Sequence, residues 1–158
     1  MNLVNCLNGI LECSEGMKPG TRDKALKETI EYYKCWQQQL LDYAREDYRK
    51  GGSYSEYHMR SLELEQSLLK KVLKGETTFQ HELSKIIKDP NEHTKKIEES
   101  PGGEYWILNW TLNQFFPGIF FDEIEDYAKM MDETIARIYL SKPKKKRKHN
   151  PEAWREIL

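Results

Sequence analysis

The sequence predicts an all-α fold, an elongated bundle of four to five helices built on a long antiparallel hairpin and ending in a basic C-terminal segment. Three observations carry this. Apolar residues recur at three- and four-residue spacings over long stretches, which places them on one face of a helix. Gly and Pro fall between those stretches rather than inside them. No segment alternates apolar and polar residues as a half-buried strand does.

Each element follows from local chemistry. Residues 1–20 are short and mixed, and Lys18-Pro19-Gly20 reads as a turn with Thr21 capping the helix after it. Leu26, Ile30, Tyr33, Leu40 and Ala44 then share a stripe, widened by Trp36, and no Gly or Pro interrupts until Gly51-Gly52. That predicts a helix of about 29 residues, roughly 43 Å long. Gly51-Gly52-Ser53 is a link short enough to make residues 54–74, carrying Leu62, Leu68, Leu69, Val72 and Leu73, an antiparallel neighbour. Gly75 ends the second helix. Thr77 and Gln80 resemble a capping box, and Phe79, Leu83, Ile86 and Ile87 define a third helix closed by Asp89-Pro90. Residues 90–103 are polar and end in Ser100-Pro101-Gly102-Gly103, the best candidate linker. Residues 104–116 form a short aromatic helix, and residues 122–140, with Ile124, Tyr127, Ala128, Met131, Ile135 and Ile138 in register, form the last long one. Trp154 and Leu158 lie on one side of a final short helix. The chain therefore divides into a helical domain, 1–141, and a basic segment with a terminal helix, 142–158.

At 158 residues the chain is long enough to bury a real core. A net charge of −1 gives no general attraction for polyanions, so any such attraction is local. The charge is very unevenly spread. Residues 137–148 hold seven cations and no acid, whereas residues 101–136 hold seven acids against Lys129. The run Lys142, Lys144, Lys145, Lys146, Arg147 and Lys148 has the density of positive charge that a phosphate backbone selects, and no aromatic among Lys144–Lys148 to stack on bases. It would hold RNA or DNA without reading sequence. Pro143 to Lys148 also resembles a monopartite nuclear-import signal, which implies an importin-type groove as another taker. A third possibility is a solvated tail, or one folded back on the acids of residues 122–126.

Seven large rings crowd residues 105–121. Trp106, Trp110, Phe115, Phe116, Phe120 and Phe121 are read either as core or as a protein-binding patch, because adjacent Phe pairs cannot both face inward from one helix. Tyr48 and Tyr54 straddle the Gly51 turn, with Arg45, Arg49, Lys50 and Arg60 near, as interface tips do. Helix packing would yield the same residues.

The paired carboxylates Asp122-Glu123, Glu125-Asp126 and Asp132-Glu133 read as helix-start acids favoured by the dipole. No ExxH accompanies them, and His58, His81, His93 and His149 form no ligand spacing, which leaves no metal or other cofactor expected. All four histidines read as surface residues. Cys6, Cys13 and Cys35 are odd in number and lack a CxxC; Cys35 is placed beside the core, and a reducing compartment follows. The start of the chain lacks the pattern of a signal peptide, and no apolar run spans a bilayer, so the expectation is an intracellular protein, cytoplasmic or nuclear, with no membrane partner.

Together these features favour a non-enzymatic interaction module that docks on a protein or nucleoprotein complex and contacts nucleic-acid backbone through its basic run. An accessory subunit or inhibitor of a nucleic-acid-processing machine has this character. Two other classes stand beside it: a purely protein-binding inhibitor or adaptor, and a metal-dependent enzyme using Asp122, Glu125, Asp126 or His81.

Overall fold

The computed structural model describes residues 2–52, 56–116 and 121–141, with the backbone alone for 121–123. Among these residues there are seven α-helices and no strand: α1 (Leu3–Cys13), α2 (Pro19–Arg49), α3 (Glu56–Leu73), α4 (Phe79–Ser84), α5 (Pro90–Glu99), α6 (Glu104–Phe115) and α7 (Phe121–Ile135), which runs into a π-helical turn, Ala136–Leu140. The expected all-helical class is present. The expected count of four to five is too low, and both extra helices fall in stretches read as irregular.

The first is α1. The Asn2 side chain caps it by accepting from the Asn5 amide at 2.8 Å, and its Nδ2 donates to the Phe115 carbonyl at 3.0 Å. Leu3, Val4 and Leu7 are buried against α2. The second is α5. Asp89-Pro90, read as a stop, is instead a start: Pro90 occupies the first turn, where its missing N–H costs nothing and its fixed φ suits the helix. Lys18-Pro19 repeats that logic at the head of α2, one turn before the expected Thr21 cap. The third expected helix is correspondingly short, ending at Ser84.

α2 is 31 residues long and buries Leu26, Ile30, Tyr33, Gln37, Leu41 and Ala44, a continuous three-four stripe in which Leu41, not Leu40, is the inward leucine. α3 packs along it: Tyr33 meets Glu65, whereas Leu41 and Ala44 meet Met59 nearer the start of α3. α6 lies on α3, and α7 lies on α4. Cys35 is exposed, which corrects its expected place beside the core.

The main core gathers around Phe79, whose ring sits edge-on to Phe115 at 5.0 Å and to Phe116 at 5.7 Å. Both rings of that adjacent pair are buried, to 1% exposure each. One helix face cannot hold both. Phe116 is instead the C-terminal cap residue, with φ −124° and ψ 54°, so the chain leaves the helix and turns its side chain inward as well.

Asp132 corrects another expectation. It stands in the last third of α7, not at a helix start, and is buried. Its carboxylate accepts from the backbone amides of Phe79 at 2.8 Å and Gln80 at 2.9 Å, and from the Gln80 side chain at 3.0 Å. It thus caps a neighbouring helix across 53 residues of chain, satisfying amides that α4 leaves orphaned.

Candidate interaction surfaces

Four aromatic rings form a chain on the surface where α3 meets α6. Trp106 and Trp110 are four residues apart on α6 and therefore share a face. Their rings lie edge-to-face at 4.8 Å. Tyr57 packs edge-on to Trp106 at 5.4 Å, and His58 edge-on to Trp110 at 4.9 Å. Both tryptophans are half-buried, and Tyr57 and His58 are exposed. The opposite face of α6, with Ile107, Thr111, Leu112 and Phe115, is buried, so the tryptophans flank the core rather than fill it.

The patch is held rigidly from both sides. Residues 100–103, expected as a linker, make a tight turn in which the Gly103 amide donates to the Ser100 carbonyl at 3.0 Å. Arg60 donates to the Gly102 carbonyl at 2.8 Å. Gly102 has φ +76°, and a Cβ there would come within 2.5 Å of the Tyr57 ring, so glycine is required by conformation and by space. Beneath the patch, the hydroxyls of Ser61 and Thr111 meet at 3.0 Å, a buried hydrogen bond that fixes α6 on α3. α5 buries no side chain, but His93 Nδ1 lies 2.6 Å from the Tyr105 hydroxyl, which also accepts from the Ile87 amide.

Deeper along α3, the Tyr33 hydroxyl donates to the Glu65 carboxylate at 2.5 Å in a buried pair. Burial pushes the Glu65 carboxyl above its ordinary range, and the Tyr33 hydrogen bond opposes only part of that. The Tyr33 hydroxyl is pushed up as well, first by burial and then by the adjacent carboxylate. The pair carries no access to a substrate, and its effect is on packing and stability.

The other expected site residues divide three ways. Trp106 and Trp110 are together at the surface, joined by Tyr57 and His58. The sequence predicts His58 only as a surface histidine, and no local pattern pairs Tyr57 with the tryptophans. Phe115 and Phe116 are in the core. Tyr48 is 46% exposed near the end of α2, but the cations about it are engaged elsewhere: Arg45 with Glu63, Arg49 and Lys50 with Glu46, and Arg60 with Gly102. Tyr54, Phe120, Lys142, Lys144, Lys145, Lys146, Arg147 and Lys148 lie outside the described residues, as does the side chain of Phe121.

Of the acids considered for metal chemistry, Glu125 pairs with Lys88, and Asp126 is exposed. His81 is exposed on α4, where its amide is taken by the Thr78 hydroxyl. Among the described residues, no group of three His, Cys, Asp or Glu side chains is arranged to hold a metal ion. A groove of about 660 Å³ between α3, α4 and α6 has Leu64, Leu68 and Leu108 in its wall, with Arg60, Lys71 and Glu104 at its rim. Among the described residues no helix is long and apolar enough to cross a membrane.

No family model matches the chain, and comparison with curated proteins and with solved structures gives no match.

Proposed function

We propose that this chain is a non-enzymatic interaction module. Its helical body, residues 1–141, docks on a protein through the Tyr57–Trp106–Trp110–His58 patch, and its basic segment, 142–158, holds nucleic-acid backbone through Lys142, Lys144, Lys145, Lys146, Arg147 and Lys148. Such a part suits an accessory subunit or an inhibitor of a nucleic-acid-processing machine inside the cell.

The observation that carries the docking half is the aromatic chain itself. Trp and Tyr dominate the few residues that supply most binding energy at protein interfaces, because they bury large area at small entropic cost. Here they are half-exposed, pre-packed edge-to-face and tied down by Arg60 and Gly102, so little ordering cost remains on binding. The nucleic-acid half is supported by the charge distribution: seven cations without an acid over residues 137–148 on a chain of net charge −1. The platform is read as a long antiparallel hairpin of α2 and α3, supported by the opposite order of their pairings.

Affinity capture from the native cell tests this, with the intact chain and with Trp106→Ser/Trp110→Ser, each with and without nuclease. The expected result is a protein partner that survives nuclease on the intact chain and is lost from the double variant. Partners that vanish with nuclease and ignore the tryptophans would sink the docking half.

A further inference from the structure

The longest stretch of this chain without a charged residue is 105–121, in a protein whose residues are 32% charged. α6 lies within it except for its first residue, Glu104, which lines the groove between α3, α4 and α6. Ile107, Thr111, Leu112 and Phe115 are turned inward. Helix geometry then turns Trp106 and Asn113 most directly outward, two turns and about 10 Å apart, with Asn109 and Trp110 between them. Asn113 is exposed and the other three are half-buried. Tyr57 and His58 border the two tryptophans, and Arg60, one turn further along α3, is held by the Gly102 carbonyl.

Interface centres are depleted of charge and rich in aromatic rings, so this face fits a partner that is likewise uncharged. The order of its residues says which partner. An indole is a hydrogen-bond donor only, whereas a carboxamide also accepts. Read forwards, the outward residues of α6 run Trp, Asn, Trp, Asn; read backwards, they run Asn, Trp, Asn, Trp. An antiparallel copy of α6 centred between Asn109 and Trp110 therefore sets Trp106 against the partner's Asn113 and Trp110 against the partner's Asn109. The same two pairs recur across the axis. Asn113 is prepared for this, because its Nδ2 donates to the Asn109 carbonyl at 2.8 Å and leaves Oδ1 to accept. A two-fold contact also brings residues near the axis close to their own images. That placement repels where the face is charged, and this face has no charge to repel.

We propose that the α6 patch is a self-docking surface, on which a second copy of this chain lies antiparallel about a two-fold axis with each outward indole donating to a carboxamide of its partner. The inference rests on the docking half of the function proposed above and names its partner.

Sedimentation equilibrium of nuclease-treated protein between roughly 1 and 200 µM is the test, repeated at about 0.05 and 0.5 M salt. Four chains are compared: intact, Asn113→Leu, Trp106→Ser/Trp110→Ser, and Asn91→Leu at an exposed position of α5. Circular dichroism confirms that each folds. The intact chain is expected to dimerise equally at both salt concentrations, and Asn91→Leu to match it. Asn113→Leu is expected to weaken the dimer about tenfold, because the partner's indole is then buried without an acceptor, and the double variant to abolish it. Mere apolar adhesion would instead tighten with the added leucine, so unchanged or tighter association of Asn113→Leu overturns the proposal. Dimers that persist in the double variant, or that come apart as salt rises, put the contact elsewhere and overturn it too. An intact chain that stays monomeric throughout overturns self-docking alone, since the nuclease-resistant capture above still registers any other protein on the patch.

Discussion

The two halves of α2 carry the same apolar rhythm and live in different surroundings. Leu26, Ile30 and Tyr33 join a core shared with α1, α3, α4, α6 and α7, whereas Leu41 and Ala44 join a small separate cluster with Met59 and the half-buried Leu62. Periodicity tells which face of a helix is turned inward. It does not tell how much protein stands behind that face, and that decides the energy. The root of α2 is a wall of a globule, whereas the far half meets only a small cluster at the start of α3, which α6 backs from its other side.

The comparison is broken most directly at the largest side chains. Phe79→Ala removes the ring around which Phe115 and Phe116 pack and should lower unfolding free energy by about 3–5 kcal/mol in urea. Leu41→Ala, equally buried, should cost about 2 kcal/mol, the low end for such a change, because its cluster with Ala44 and Met59 is far smaller than the one around Phe79. Equal costs would show that the far half is as firmly held as the root.

Asp132→Ala comes next. It strips the carboxylate from two backbone amides of α4 and should cost about 2–3 kcal/mol, with Asp132→Asn losing less because one acceptor remains. Urea titrations of both variants check the order.

Protonation sharpens the contrast between buried and exposed carboxyls. The buried Glu65 carboxyl is raised above its ordinary 4.5, so the folded state holds the proton more tightly than the unfolded one. Its contribution is therefore present below that value and is lost as pH rises through the folded pKa. Glu31 is lowered, mainly by the Tyr139 hydroxyl, so its contribution is present above 4.5 and is lost as pH falls through the folded pKa. Thermal melts between pH 3 and pH 8 should show Glu65→Gln gaining stability at neutral pH, and Tyr139→Phe losing part of the acid-side decline. A Glu65→Gln chain that is less stable at pH 7 than the parent would contradict the burial argument.

The smallest effects belong to the outer face of α2. Tyr32 is 62% exposed, and Tyr32→Ala should change stability by no more than about 0.5 kcal/mol.

These elements also mark what the sequence could and could not disclose. α2, α3 and α7 were legible because their amphipathic stripes are long and their stops are Gly or Pro, and the short α6 because its rings crowd between Gly103 and Pro117. α1 and α5 were hidden by length and punctuation. Eleven residues offer barely three turns of pattern, and an X-Pro pair reads as an end unless the helix after it is already known. Among the site residues, the Trp106–Trp110 pairing follows from i, i+4 spacing. Tyr57 and His58 join it only through the packing of α3 on α6, a contact between residues some 50 apart that local pattern cannot encode. Asp132 is the same lesson in polar form: its charge was visible, but its partner lies on another helix.

The central claim is that the cationic run grips a polyanion although the body, residues 1–141, is net acidic, and the slope of affinity against salt measures it most directly. For the intact chain on oligouridylate, log K should fall against log salt with a slope of about −4, six contacts for a single strand, and most of that slope should vanish when the chain ends at Ser141. A shallow slope that is identical with and without residues 142–158 would contradict it.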